Sequence, residues 1–428
     1  MARGLRPLRH RGFRRLVGGQ LASNVGDACY AVALPWYVLA HHRGALLLAT
    51  VLAAYGIPRA VLLLAGGAAS DRWRPWTVML VADTARALAV GALAAAAAWT
   101  GPARAAVLVP IAVALGAGEG LFLPGSFAVV PRLLPDAELQ AGTALTSGGT
   151  QLATLVGPAL GGAIVALAGP AVAFVVDGGS FVVSAVSLAG VRLAQRTTVA
   201  STPPPPEAPP AAAGPAPTGA ATLRRLLRRE AVLWVILVVT VVANLGSGGV
   251  GEVALPAFAH GLLHAGAGGY AALVAAFGGG ALLGTLLAGQ IRRPRRPGTL
   301  GGLVFLVTAV LMAAVPFAGG LVSACVVVAA FGAANGFGNV LMMTAMQAWA
   351  PAEVLGRLMG VLMLAGFGVF PLSVLLAGAV THALGPAAFF PIAAVPLGVA
   401  MLGALALRRW REWEPGTASP AEPLPAAG

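Results

Sequence analysis

Seven charged side chains stand inside long apolar stretches of this chain: Asp27, Arg59, Asp83, Arg86, Glu119, Asp177 and Glu252. A charge so placed has two chemical uses. It can sit in a permanent ion pair, or it can take up and release a proton, because burial and a neighbouring opposite charge compete over its protonation and an arriving ligand can tip that balance. Asp27 lies on a polar stripe of Gln20, Ser23, Asn24, Asp27 and Tyr30, a spacing that turns one helix face toward a cavity. Arg59 follows Tyr55 by one helical turn and is a possible partner for Asp27. Glu119 stands alone in its stretch. For Asp27 and Glu119 two readings stay open, proton coupling and a permanent pair with arginine. Glu252 follows Asn244 and Gly248 at four-residue steps and is expected to line a second wall of the same cavity, as a further proton-coupling candidate. Asp83 and Arg86, three apart, share a helix face and are read as a charge pair. For Asp177 a structural hydrogen bond is expected.

These groups must be held by elements that cross a bilayer. Hydrophobic residues make up 58% of the 428-residue chain, charged residues 10%, and mean hydropathy is +0.86. A soluble domain carries about 25% charged residues, so the composition describes a polytopic membrane protein. Twelve apolar segments are long enough to span as helices: 16–40, 46–69, 76–99, 105–130, 141–168, 171–193, 231–258, 269–290, 299–318, 320–349, 355–382 and 387–407. The net charge of +13 comes from 27 arginines at the ends of these segments, without the aromatic interleaving of a nucleic-acid surface, so no nucleic-acid partner is expected. With both termini on one side, 23 of the 27 fall in that side's segments, and only Arg43 and Arg104 fall in the opposite loops. This bias places both termini in the cytoplasm of a multi-pass protein of the plasma (inner) membrane. The Arg-rich start precedes an apolar stretch too long for a secretory signal and interrupted by Asn24 and Asp27, so it reads as an uncleaved first helix.

Residues 194–230 form the one long connector, with Pro203–Pro206, Pro209, Pro210, Pro215 and Pro217 followed by Arg224, Arg225, Arg228 and Arg229. It reads as a cytoplasmic tether between bundles at 1–193 and 231–408, with a cytoplasmic tail at 409–428. A weak repeat supports the division. Gly116-Ala-Gly-Glu-Gly120 is echoed by Gly332-Ala-Ala-Asn-Gly336, and Pro135-Asp-Ala-Glu-Leu139 by Pro351-Ala-Glu-Val-Leu355, both at an offset of 216 residues. The expected fold is all-α, with twelve transmembrane helices in two pseudo-symmetric six-helix bundles around a central site.

The loop after the second segment carries Gly67, Asp71, Arg72 and Arg74, and resembles the Gly-x-x-x-Asp-Arg motif between helices two and three of major facilitator superfamily transporters. Its second-half counterpart, Gly284 to Arg293, keeps Gly and Arg but has no Asp. The fifth segment carries Gly157-Pro158-Ala-Leu-Gly161-Gly162, similar to the Gly-Pro-x-x-Gly-Gly motif of the antiporter branch, with Ala153 where the full motif has another Gly. Further stretches (Phe122-Leu-Pro-Gly, Phe174-Val-Val-Asp177-Gly-Gly-Ser-Phe181 and Phe277-Gly-Gly-Gly-Ala-Leu-Leu-Gly284) resemble the branch of enterobactin exporters and macrolide efflux proteins. The resemblance implies a drug:proton antiporter working by alternating access. It implies that Asp71, Arg72, Asp83 and Arg86 form a gate-side charge network, and that Gly157–Gly162 packs tightly to close the site from the cytoplasm.

A cargo cavity is expected from Gln20, Asn24, Tyr30, Tyr55, Gln151, Asn244, Asn335, Asn339 and Met343. The tenth segment supplies Asn335, Asn339, Met343 and Gln347 at four-residue steps, with methionines beside them that adapt to varied apolar ligands. The expected partners are a small-molecule substrate, protons and the lipid bilayer, with the protein acting as a monomer. No metal ligand spacing, no phosphate-binding loop and no nucleophile–base grouping is present, so neither a cofactor, nor ATP-driven transport, nor an enzyme is expected. Cys29 and Cys325 both fall in apolar segments and are read as packing residues. An uptake carrier, and a non-transporting sensor or lipid-flipping protein, are the alternatives.

Overall fold

The computed structural model describes residues 3–40, 44–72, 75–99, 104–199, 231–290, 296–349, 361–362 and 364–413. The Pro-rich part of the predicted connector and most of the tail lie outside them. The helices are α1 (Arg11–Ala40), α2 (Gly44–Arg72), α3 (Pro75–Trp99), α4 (Ala105–Val129), α5 (Asp136–Ala168) and α6 (Pro170–Val199). After the connector come α7 (Ala231–Gly249), a π-helical turn (Val250–Ala254), and α8 (Leu255–Gly261), which together make one crossing. Then follow α9 (Gly266–Gln290), α10 (Pro297–Ala314), α11 (Leu321–Trp349), α12 (Phe370–Leu384), α13 (Phe389–Ala406) and the short α14 (Arg408–Arg411).

Among the described residues, ten spans are long and apolar enough to cross a membrane. α1, 30 residues long, is not among them, and the described apolar part of α5, Val156–Ala168, is a shorter piece of that 33-residue helix; the two stand where the first and fifth crossings are predicted. α1 carries Gln20, Ser23, Asn24 and Asp27 into its middle. Two predicted boundaries also move. α6 continues to Val199, past position 193, and the chain beyond 408 turns into α14, where Trp410 and Trp413 are buried and stack on one another.

Polarity is arranged for an apolar solvent. Large apolar side chains such as Leu167, Val322 and Phe317 face outward, while Asp83, Arg86 and Asp177 are buried. With no hydrophobic drive between helices in lipid, close association depends on small residues, and the helices meet in the same pairs twice. α2 packs on α4, α1 on α5 and α6, and α3 on α4 and α6; later in the chain α9 packs on α11, α7 on α12 and α13, and α10 on α11 and α13. The repeated glycines are the reason at one crossing of each set. A Cβ at Gly120 would lie 2.7 Å from the Arg59 carbonyl oxygen, and one at Gly116 would fall on the Tyr55 carbonyl. Gly332 and Gly336 meet the Phe277 and Ala281 carbonyls of α9 in the same way.

The two sets touch through α2 with α12 and α5 with α9. Gly56 faces Phe370 and Pro371, Gly378 faces Ala45 and Ala49, Gly162 faces Ala271, and the Trp36 and His260 rings lie 5.3 Å apart. These contacts run from mid-membrane toward the face opposite the arginine-rich one.

Candidate functional site

The glycine crossing of α2 and α4 places the first charged pair. Because Gly116 and Gly120 rest on the backbone at Tyr55 and Arg59, the intervening Glu119 reaches Arg59, and Nη2 sits 3.0 Å from Glu119 Oε1. The guanidinium also lies over the Phe367 ring at 4.5 Å and the Tyr55 ring at 5.7 Å. Arg59 is therefore paired with Glu119, one of the two carboxylates the sequence left open as its partner, and not with Asp27.

A second pair is more deeply buried. Arg86 donates to Asp83 on the same face of α3, and its guanidinium is held between the rings of Phe122 and Phe181 at 4.6 and 4.3 Å. Gly118 leaves the space for the Arg86 stem. The pairing expected from the three-residue spacing is present. The side chains of Gly67, Asp71 and Arg72 and the whole of Arg74 lie outside the described residues, so the wider network of which they were expected to be part does too.

Two cavities adjoin these pairs. The larger, about 570 Å³, is walled by Asn24, Asp27 and Thr150 from α1 and α5 and by Asn244, Glu252, Tyr270 and Asn335 from the later helices. Phe277, Phe331, Phe370 and Phe390 supply its apolar surface. Asp27 and Glu252 are the only charged side chains in its described wall. The smaller cavity, about 200 Å³, is walled by Tyr30, Tyr55, Arg59, Arg86, Glu119 and Asp177 together with Asp27 and Glu252. Asp27, Ala31, Glu252 and Phe370 belong to both walls. Two carboxylates thus stand where an apolar chamber adjoins a charged one.

Local structure fixes these side chains. Asn24 Nδ2 donates to Thr150 Oγ1 at 3.1 Å, tying α1 to α5 beside Asp27. A Cβ at Gly161 would lie 2.7 Å from Cys29 Cα, and one at Gly157 would fall on Ala28, so the Gly-Pro-x-x-Gly-Gly stretch lies against α1 near Asp27 while Pro158 faces the larger cavity. Gly162 faces Ala271 on α9, near the face away from the arginines, whereas the resemblance implies a seal toward the cytoplasm. Cys29 and Cys325 are both free thiols, buried and half-buried.

Of the expected cavity residues, Asn24, Asn244 and Asn335 line the larger chamber and Tyr30 and Tyr55 the charged one. Asn339 and Met343 lie further along α11, exposed and outside both walls, with Asn339 hydrogen-bonded to Asn335; Gln20 is also outside both walls. The Gln151 side chain lies outside the described residues. Asp177 has Ser180 as the hydrogen-bonding neighbour expected of a structural role. Ser180 Oγ donates to the Asp177 backbone carbonyl, and the carboxylate's Oδ1 is buried at the charged chamber without a partner. The sequence reading missed Thr150 and Tyr270. Tyr270 had a signal, since the chain has four tyrosines and three of them face these chambers. Among the described residues no group of three or more metal-ligating side chains occurs.

Comparison with known proteins places this geometry. A protein family described as transmembrane secretion effectors, within the major facilitator transporters, matches residues 2–427. The multidrug efflux pump Tap of Mycolicibacterium fortuitum is 31% identical over 179 residues, which is 40% of this chain and 43% of that protein. Tap of Mycobacterium tuberculosis is 30% identical over 40% of this chain and 42% of its own. An uncharacterized major facilitator transporter, YfiS of Bacillus subtilis, is 27% identical over 42% of each. The matches therefore span about two-fifths of the length of these relatives. In overall fold the chain is similar to a crystal structure of the nucleoside transporter NupG, with a TM-score of 0.67 over 92% of this chain and 99% of that one at 14% identity.

Proposed function

The chain belongs to the transmembrane secretion effector family of major facilitator transporters, and from that premise we infer that it is a proton-coupled exporter of amphipathic small molecules carrying a cationic group. One observation carries the reading: Asp27 and Glu252 are the charged groups in the described wall of a chamber of about 570 Å³ whose other lining is apolar, amide or hydroxyl, and both also face the charged chamber. A cationic cargo in the larger chamber and a proton on either carboxylate compete for the same charge. That competition is what exchange of one for the other requires. The aromatic lining suits an organic cation, and the lack of a basic side chain in the described wall disfavours an anionic one.

The remaining parts follow the same logic. The protein crosses the plasma membrane twelve times, in two six-helix bundles joined by the tether that follows α6, with both termini in the cytoplasm, and α1 is a polar-faced crossing. The polarity of Asn24 and Asp27 on α1 is tolerated because both line a chamber. Glu119 shares in proton handling through Arg59. Both chambers are walled by one chain, so a monomer is the working unit.

The reading is tested by dye and drug accumulation in a pump-deficient bacterial host. Cells producing the wild-type protein are expected to accumulate less of a lipophilic cation, and both a protonophore and Asp27→Asn should abolish the difference. Export that survives the protonophore would exclude proton coupling. Export by Asp27→Asn that stays protonophore-sensitive would move the role to Glu119 or Glu252.

A further inference from the structure

The crossing made by α7 and α8 is broken by the π-helical turn Val250–Ala254 that holds Glu252. Pro256 contributes from the C-terminal side, since it has no N–H for the Glu252 carbonyl four residues back and its ring crowds that carbonyl. A second cause, acting from the N-terminal side, lies on α12. Ser373, fully buried, donates its hydroxyl to the Leu245 carbonyl at 2.6 Å and accepts the Gly249 backbone N–H at 2.7 Å. In a regular α-helix those two backbone groups would bond to each other, since an N–H pairs with the carbonyl four residues back. The serine hydroxyl therefore stands inside the α7 ladder, a recognised cause of helix distortion, and the π-turn begins at the next residue. Gly248 and Gly249 admit it: a Cβ at Gly249 would lie 2.7 Å from the Ser373 carbonyl oxygen, and one at Gly248 3.1 Å from its Oγ.

We propose that Ser373 is a positioning residue for Glu252. By standing in the Leu245–Gly249 ladder it holds the π-turn in place, and the π-turn sets Glu252 in the wall shared by the two chambers. A plain interhelical hydrogen bond would tie α12 to α7 equally well but would leave the surroundings of Glu252 unchanged when removed. The groups that face Glu252 across the charged chamber are Asp27 and Tyr30 of α1, Tyr55 and Arg59 of α2, Arg86 of α3, Glu119 of α4 and Asp177 of α6; Tyr270 of α9 faces it across the larger one. The part Glu252 plays in transport rests on the function inferred above, whereas the geometric claim does not.

The test therefore uses two readouts that need no transport, on the full-length protein in lipid. The first is hydrogen–deuterium exchange of the 245–256 backbone. The second is the pH titration of the Glu252 carboxyl infrared band, assigned by difference from Glu252→Gln. Ser373→Ala should speed exchange about tenfold and move the Glu252 titration by about half a pH unit or more. Ser373→Thr, which keeps the hydroxyl, should resemble wild type and guards against a variant that fails to fold. Unchanged exchange, or faster exchange with an unmoved Glu252 band, would overturn the proposal. Proton-driven flux of tetraphenylphosphonium, measured in parallel, judges the transport reading separately: no flux in wild type would sink that reading while the two spectroscopic results still decide the role of Ser373.

Discussion

At the scale of single residues, the charged groups divide by what surrounds them. The Arg59–Glu119 pair is only partly exposed and its guanidinium lies over Phe367 and Tyr55. Breaking such a pair from one side leaves an uncompensated charge, whereas replacing both partners by apolar residues can be close to neutral. Glu119→Gln is accordingly expected to lower stability by about 1–3 kcal/mol, and Arg59→Met/Glu119→Leu to recover most of that loss in a thermal melt. If the double variant also retains proton-driven flux, Glu119 serves structure alone; if it is folded but uncoupled, Glu119 handles protons. The reason the candidates were legible from sequence is the cost of a charge at mid-bilayer, about 2.5–3.5 kcal/mol, which makes each one conspicuous. Partners within one helix were legible, as for Asp83 and Arg86, but partners across helices were not. Arg59 could be matched with Asp27 or Glu119 on depth alone, and only the glycine contacts of α4 on α2 select Glu119.

The elements explain what the motifs do. The repeat of Gly116–Gly120 at Gly332–Gly336 was readable as a spacing, and its physical content is backbone-to-backbone contact at α2–α4 and α9–α11. The fifth helix shows a division of labour between neighbouring glycines that spacing alone does not give. Gly161 meets the backbone of Cys29 on α1, inside the first six helices, while Gly162 meets Ala271 on α9, across the gap between the two sets. Gly161→Val should therefore destabilise the protein by about 1–3 kcal/mol, as overpacking does, and lower its melting temperature. Gly162→Val should melt near wild type but weaken the α5–α9 contact, seen as faster passive leak of a dye from loaded proteoliposomes. Equal melting losses in both variants would remove the distinction. The π-turn was legible only in part: Pro256 marks a weakened turn at Glu252, but the hydroxyl that enters the ladder at Gly249 sits on α12, more than 120 residues away.

Across the whole molecule, the face on which the two sets of helices meet gives a prediction about its resting state. Trp36 with His260, Gly378 with Ala45 and Ala49, and Gly162 with Ala271 all lie toward the side opposite the arginines. The arginine bias, itself readable from sequence, underlies the proposal that the arginine-rich side is cytoplasmic. Together, on the proposed topology, these contacts among the described residues predict a resting protein whose larger chamber is reached from the cytoplasm. In a background with Cys29→Ala and Cys325→Ala, Asn335→Cys places a thiol in the chamber wall. A membrane-impermeant maleimide should label it about tenfold faster in everted vesicles than in intact cells, which corresponds to at least roughly 90% of molecules open to the cytoplasm. Gly268→Cys, at an exposed position near the start of α9 where a Cβ meets nothing within 4 Å, should show the opposite preference and proves the sidedness of the vesicles. Equal labelling of Asn335→Cys from both sides would mean that the contacts on the outer side open freely at rest, and an excess of a transported cation that slows only the everted-vesicle reaction would place the cargo in the same chamber.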